Sequence, residues 1–505
     1  TAASVFLLVQ DGKLTLDDDV RKLLPELPDY GHRITVAHLL HHTSGLRDYA
    51  GMHVLAGRPF ANYTRNADAM AFVTRQRALN FKPGTAFSYS NTGYLLLGQL
   101  VERVSGKTLA QFADERIFQP LAMHDTRFLD TLDALVPNKA GLYQPNMSQP
   151  NMSQSNSEPQ FDAAQVGWVE TGARGVLTTV ADLAKWERNF VAPTVGGVAF
   201  VTWMQTGGKL DNGAPLDYGG GLSLSEYRGL KVVEHGGAGV GAAAELLRLP
   251  DEKFAVALLC NNPMVDAQGI AYQIAELYLA DKPSAPPGEP SHATNADATT
   301  TASSAANTTG SMALSVTTEA LNAAAGLYWS KEGGLVRRVE LRDGKLWYVR
   351  HERSRSELQP LGSGRFRMLN VPGQTDLQIV PTKAGQPRRL ELISDGEPPI
   401  VFEQVQPFSP APDALHQYAG CFANAELGTR WQLLVADGQL LLQYGVDPAQ
   451  PVTATFIDAF SAGPALMRYQ RDKRGKMNQF ILDSSRARNY VFDRVTMARG
   501  ERCSE

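Results

Sequence analysis

Pro83 to Lys107 reads PGTAFSYSNTGYLLLGQLVERVSGK, and its interpretation decides the fold of the chain around it. Pro83-Gly84 marks a turn, and the apolar stretch from Asn91 to Val104 predicts a helix that Ser105-Gly106 stops. Tyr89-Ser90-Asn91 therefore stands at a helix mouth, where a phenol and a carboxamide can enter one cleft. The phenol could exchange a proton and the amide could hydrogen-bond a substrate carbonyl. Taken alone, the triplet reads better as a buried structural tyrosine than as a catalytic pair.

A second local feature follows the predicted strand Leu230–Glu234. His235-Gly236-Gly237 leads into Ala238, Gly239, Val240 and Gly241. Glycines at a strand end admit close approach of a substrate backbone, and an N–H there can face a developing oxyanion. The competing reading is an ordinary glycine turn. No Gly-Lys-Ser/Thr follows, so the stretch is not a phosphate loop, and no helix-forming segment follows to make a dinucleotide fingerprint. A third feature, LLHHTSGLRDY from Leu39 to Tyr49, invites a metal through its adjacent histidines. Neighbours on a helix point about 100° apart and no third ligand is evident, so a structural helix end is expected there.

The 505 residues exceed one hydrophobic core and predict two or three domains. A net charge of −4 from 48 basic and 52 acidic side chains gives no electrostatic footprint for nucleic acid. No apolar run approaches the roughly 20 residues of a membrane span, and no signal peptide is visible. Cys260, Cys421 and Cys503 lie far apart without metal-ligand spacing. They are expected to be free thiols, two buried and one exposed near the tail.

Residues 281–316 are rich in Ser, Thr, Ala, Asn and Pro and predict a flexible linker, because they cannot bury enough apolar surface to offset their ordering entropy. A second biased patch, NMSQPNMSQSNS (146–157), predicts a surface loop. Before the linker, an apolar helix ends at Asp11-Gly12, Thr179 and Asp182 suggest a capping box, and Leu230–Glu234, Ala244–Leu249 and Phe254–Cys260 read as strands. This is an α+β or α/β domain with a late antiparallel sheet. After the linker, hairpins on Asp-Gly turns dominate and recur. Gly326 and Gly420 lie 94 apart, as do Asp343-Gly344 and Asp437-Gly438, and Phe402 answers Phe492. Two all-β units of about ninety residues follow one another. The expected boundaries are 1–280, linker 281–316, barrel 317–408, second barrel 409–497 and tail 498–505.

These blocks, in this order, resemble the class C β-lactamase and DD-peptidase superfamily of serine hydrolases from Thr1 to about residue 280. The carriers are TAASVFLLVQDGKLTLDDDVRKLLPELP, ITVAHLLHHTSGL, PGTAFSYSNTGYLLLGQLVERVSGK, TGARGVLTTVADLAKW and EHGGAGVGAAAELLRLPDEKFAVALLCNN. With two tandem β-domains, the resemblance narrows to the D-aminopeptidase branch. It implies that Tyr89 is the motif tyrosine and proton shuttle and Asn91 its substrate-binding partner. His235, Gly236 and Gly237 match the third motif, where lactamases carry Lys-Thr-Gly, and Ala238 would supply an oxyanion donor. Histidine there favours peptidase or esterase chemistry over β-lactam hydrolysis.

The family nucleophile lies in Ser-x-x-Lys, and no lysine of this sequence has a serine three residues before it. The resemblance places that motif just upstream of Thr1, so the chain is expected to be N-terminally truncated and inactive as written. The parent enzyme would form an acyl-enzyme on small peptides, amides or esters, with D-aminopeptidase activity ahead of a carboxylesterase. It would need no metal or organic cofactor. A loop from a C-terminal barrel would limit substrate size, and a periplasmic or secreted location is favoured. The rival is a non-catalytic scaffold that keeps the fold.

Overall fold

The computed structural model describes residues 1–58, 62–146, 160–280, 321–322, 324–351, 354–369, 375–380, 386–394, 399–445, 448–463, 465–498 and 503. Two compact units result. The first is built from Thr1–Tyr49 and Pro59–Ala298, the second from Ala50–Arg58 and Thr299–Glu505. The expected linker 281–316 and nearly all of the NMSQ repeat lie outside the described residues.

In the first unit, helix α1 (Ala2–Gln10) buries every residue from Ala2 to Leu8. A helix apolar all round belongs at the centre of a layer, and Phe6 accordingly packs edge-on against Phe200 at 5.5 Å and beside Trp203. Asp11 ends it and Gly12 turns the chain at φ 68°. Helix α2 (Val36–Leu40) is closed at its start by a full capping box between Thr35 and His38. Helix α3 (Asn91–Ser105) ends on Gly106 at φ 72°, the left-handed cap its Ser-Gly stop predicts. Helix α4 (Val180–Val191) starts with Thr179 accepting from the Asp182 N–H. Only that half of the expected box forms. The Asp182 carboxylate instead accepts from Asp125 N–H, Thr126 Oγ1 and Lys185 Nζ, pinning α4 to the preceding chain.

The sheet of this unit is a four-stranded antiparallel meander, β1 (Ser223–Tyr227), β2 (Leu230–Gly239), β3 (Ala242–Leu249) and β4 (Phe254–Cys260). Two sequence expectations need correction. β2 does not stop at Glu234: His235 pairs with Leu246, Gly236 with Glu245, Gly237 with Ala244 and Ala238 with Ala243. A ladder is made by backbone groups, so glycines opposite small alanines extend it. β1 was not anticipated. Its hairpin turns on Arg228 at φ 54° and Gly229 at φ 77°, and its strand alternates too weakly to stand out.

One face of the meander packs Val232, Leu247, Leu249 and Val256 against Ala271, Ala275 and Leu279 of helix α5 (Ala267–Leu279). On the other face, Arg248 forms a bidentate ion pair with Glu187 of α4 and lies over the Phe190 ring at 3.5 Å. Among the described residues, no helix is long and apolar enough to cross a membrane.

The second unit contains the duplicated β-architecture. Strands between Gly326 and Val405 close into an eight-stranded barrel, with Tyr328, Val339, Leu346, Tyr348, Phe366 and Phe402 in its core. Strands between Gly420 and Val495 form a nine-stranded antiparallel sheet. Its edge strands, Gln450–Pro451 and Thr453–Ala454, are separated by Val452 alone, so the chain itself bridges the seam of a nearly closed barrel. Asp343-Gly344 and Asp437-Gly438 both adopt paired positive φ (51° and 76°, 51° and 72°), the hairpin turn their sequence predicts.

The free-thiol expectation fails for two of the three cysteines. Cys421 and Cys503 form a disulfide. Cys421 pairs in register with Val495, so the tail returns to it within eight residues, although 82 positions separate the two cysteines in sequence. Cys260 is free.

Candidate active site

The candidate site residues meet where the chain entering α3 comes beside the middle of β2 at His235. Tyr89 precedes the helix in an extended segment. The backbone N–H of Ser90 donates to His42 Nδ1 at 3.2 Å. Asn91 opens α3 and is held twice by one carboxylate: Asp48 Oδ2 accepts from its backbone N–H at 2.9 Å and from its side-chain Nδ2 at 2.7 Å. An orphan donor of the helix start is thus satisfied by a buried anion, and the carboxamide is fixed in the same act. Thr92 latches the other side, its Oγ1 accepting from Tyr49 N–H and donating to the Arg47 carbonyl.

His42 sits at φ 55°, in the left-handed region, just past the end of α2. Its imidazole is 1% exposed and packs among Tyr89 at 4.3 Å, Tyr218 at 4.7 Å and Tyr94 at 5.1 Å between ring centroids. Because Nδ1 accepts from Ser90, a neutral ring here carries its proton on Nε2. The structural role expected for the His-His pair thus includes forming the wall behind Tyr89. His41 donates from Nδ1 to the Tyr218 carbonyl at 3.0 Å, and burial holds its pKa below the usual histidine value.

His235 lies with its ring 6.1 Å from that of Tyr89. Its Nδ1 is 2.6 Å from the Gly236 carbonyl and its Nε2 is 3.1 Å from the Tyr218 hydroxyl. The carbonyl can only accept, so Nδ1 carries the proton and Nε2 receives the Tyr218 O–H. Burial pushes the His235 pKa down, and the Gly236 carbonyl offsets part of that. The imidazole is therefore neutral near pH 7. Burial also pushes the Tyr94 and Tyr218 phenols up, so both stay protonated.

The two glycines differ in purpose. A Cβ on Gly236 would lie 2.6 Å from Glu245 Oε2, whereas a Cβ on Gly237 would meet nothing within 4 Å. Gly236 makes room for the buried carboxylate behind the strand, and Gly237 leaves the His235 face open. Gly237 and Ala238 are exposed on the ladder.

The structure thus gathers Tyr89, His42, Tyr218 and His235 into one aromatic cluster, with Asn91 anchored two residues along from Tyr89. Sequence reasoning missed Tyr218, Asp48 and the closeness of His42. Tyr218 stands before Gly219-Gly220-Gly221, a glycine run like the one after His235, and that was the available signal. Asp48 had none, since a carboxylate 43 positions from its partner looks like any loop aspartate. Among the described residues, no group of three or more His, Cys, Asp or Glu side chains could hold a metal ion.

A match to the Beta-lactamase family spans residues 1–279, and the chain belongs to that family. It is 28% identical over 268 residues to a D-aminopeptidase of Gluconobacter oxydans, covering 52% of this chain and 48% of that protein. It is 29% identical over 279 residues to penicillin-binding protein 4* of Bacillus subtilis, covering 52% and 58%. The chain spans about half the length of the curated relatives it matches. Among solved structures, an octameric penicillin-binding protein homologue from Pyrococcus abyssi aligns over 80% of this chain and 85% of its own, at TM-score 0.48 and 22% identity.

Proposed function

We propose that the chain is the greater part of a serine acyl hydrolase that cleaves amide bonds of D-amino-acid peptides or amides. The observation that carries this reading is the Tyr89, Tyr218 and His235 cluster beside the middle of β2. In the proposed reaction a serine Oγ, supplied by a Ser-x-x-Lys segment ahead of Thr1, attacks the substrate carbonyl carbon. Its proton passes through the lysine and Tyr89 to the leaving amine as the C–N bond breaks. Water then attacks the acyl ester, returns a proton to Oγ and releases the acid. The Ala238 N–H and the serine's own N–H stabilise the tetrahedral oxygen, at about 3–4 kcal/mol per donor. Asn91, fixed by Asp48, presents its remaining amide donor and its oxygen to the substrate.

The neutral His235 supports an uncharged subsite. An imidazole whose Nε2 already receives a hydrogen bond does not attract a substrate carboxylate as a lysine ammonium would, which favours amides and esters over β-lactams. The Cys421–Cys503 disulfide favours an oxidising compartment, in keeping with a periplasmic or secreted protein.

The test is an assay of the protein expressed from its complete reading frame, beside the 505-residue chain. The reading expects Ser-x-x-Lys ahead of Thr1, hydrolysis of D-alanyl amides exceeding that of short acyl esters, and no turnover by the 505-residue chain. Preference for esters would favour the carboxylesterase. A complete frame without Ser-x-x-Lys and without turnover would favour the non-catalytic scaffold, which the absence of that motif from these 505 residues keeps in view.

A further inference from the structure

The duplicated barrels differ at one layer of side chains, and the difference has chemical content. In the first barrel, register runs from Arg388, whose carbonyl accepts from Gln404 N–H, to Gln404 opposite Tyr328 and Tyr328 opposite Arg337. The pairing of Arg338 with Val349 carries Arg337 opposite Arg350. Each of these positions lies two residues from a core residue on its own strand, and so on the same face: Arg337 with Val339, Arg350 with Tyr348, Arg388 with Leu390 and Gln404 with Phe402. Side chains alternate across a strand, so the layer points into the barrel.

The guanidiniums there lack carboxylate partners among the described residues. Arg350 donates to Ser356 Oγ at 3.1 Å and contacts Met368 Sδ at 2.9 Å. Among the described residues, Arg337 donates to the carbonyl of its neighbour Val336. The outward-facing arginines of the same barrel behave differently: Arg365 and Arg367 share Asp376, and Arg338 pairs with Glu340. Burial presses the Arg350 pKa down, the Tyr348 ring beneath its guanidinium at 5.3 Å opposes this, and the nearby charge of Arg337 adds to the lowering. Arg388 acts on the Tyr328 phenol from the next strands.

The second barrel shows what such a layer can hold. With the 94-residue offset, Tyr328, Arg337 and Arg350 correspond to Phe422, Trp431 and Tyr444. Phe422 pairs with Trp431 just as Tyr328 pairs with Arg337. Trp431 stacks on Tyr444 at 4.7 Å, and its Nε1–H donates to the Leu55 carbonyl at 3.0 Å. That layer therefore already grips an oxygen acceptor, on the segment Ala50–Arg58 that clusters with this unit.

We propose that the Arg337, Arg350 and Arg388 layer of the first barrel is a binding site for a small oxyanion, a carboxylate or a phosphate group. Forked guanidiniums match the paired oxygens of either group, and binding relieves the repulsion between Arg337 and Arg350. The site belongs to the second unit alone and does not depend on the hydrolase reading.

The experiment titrates the full chain with inorganic phosphate, with acetate and with chloride at matched ionic strength. It follows thermal unfolding and the Nε–H resonances of ¹⁵N-labelled arginines. Phosphate or acetate is expected to give a saturable stabilisation absent with chloride, and to move the Arg350 signal. Which of the two saturates at lower concentration identifies the head group. Arg337→Gln and Arg350→Met are each expected to weaken half-saturation about tenfold or more, the loss of one charge-assisted bond. Each is also expected to leave the anion-free melting temperature equal or higher, because a repelling charge is gone. A response no larger than that to chloride, or one that survives in both variants, would overturn the proposal. If one variant fails to fold, the other and the wild-type arginine signals still decide.

Discussion

One carboxylate oxygen of Asp48 accepts both the backbone N–H and the side-chain amide of Asn91, at 2.9 and 2.7 Å. The same contact starts helix α3 and orients the amide beside Tyr89, so under the proposed function one residue serves both stability and substrate recognition. Asp48→Ala should lower stability by about 1–3 kcal/mol, through a lost cap and a buried donor left unpaired. It should also raise KM while kcat falls less. Asp48→Asn, which keeps an acceptor oxygen, should recover most of the stability. Urea unfolding and steady-state kinetics on the protein from the complete reading frame check both; an unchanged KM in Asp48→Ala would separate Asn91 from the substrate.

Tyr218 should be visible in pH profiles. Burial holds the His235 pKa down; the Tyr218 O–H donates to its Nε2, a bond available only to the neutral imidazole, and is expected to add to that lowering. Tyr218→Phe removes that support. The acidic limb of kcat/KM should then move to higher pH, with a rate loss of about tenfold at pH 7. A limb that stays in place, or moves to lower pH, would contradict the assigned tautomer.

Behind the same strand, Glu245 is buried beneath helix α5, near Glu234 and Tyr272. Burial, then the charge of Glu234, pushes its pKa up to about 8 from an ordinary 4.5. The folded state therefore holds a proton that the unfolded state releases between pH 4.5 and 8. The sign follows: this group's contribution to stability declines as pH rises through that window and levels off above it. Glu245→Gln should flatten the decline and unfold at a higher temperature than wild type at pH 8, with a gain of about 2–4 kcal/mol. Thermal unfolding at pH 5, 6.5 and 8 tests this, and a constant difference between the two proteins at all three values would refute it.

The Cys421–Cys503 bond closes an 82-residue loop around the second barrel. Reduction, or Cys503→Ser, should destabilise the C-terminal unit by about 2–4 kcal/mol. Differential scanning calorimetry with and without reductant would reveal it as a lowered transition. A transition unchanged by reductant would mean that the bridge contributes no stability.

The parts of this molecule legible in its sequence are those fixed by neighbours in the chain. Gly12, Gly106 and the two Asp-Gly turns declare themselves because left-handed backbone selects glycine or aspartate locally. The paired Asp-Gly turns, with Phe402 and Phe492, carried the duplication. The illegible parts are long-range. Asp48 meets Asn91 across 43 positions, Cys421 meets Cys503 across 82, and Tyr218 reaches His235 over a crossing of chain segments that no spacing announces. β2 overran its expected end for a related reason: whether glycines extend a strand depends on the partner strand, here the alanines of β3.

The central claim is that Tyr89, Asn91 and His235 serve an acyl-enzyme. It is tested most directly by mass spectrometry of the protein from the complete reading frame, quenched during turnover of a D-alanyl ester. A mass increase equal to one D-alanyl group, mapped to a serine ahead of Thr1 and reduced at least tenfold by Tyr89→Phe, is the predicted result. Rapid hydrolysis with no adduct under any quench, or an adduct that forms equally fast in Tyr89→Phe, would contradict it.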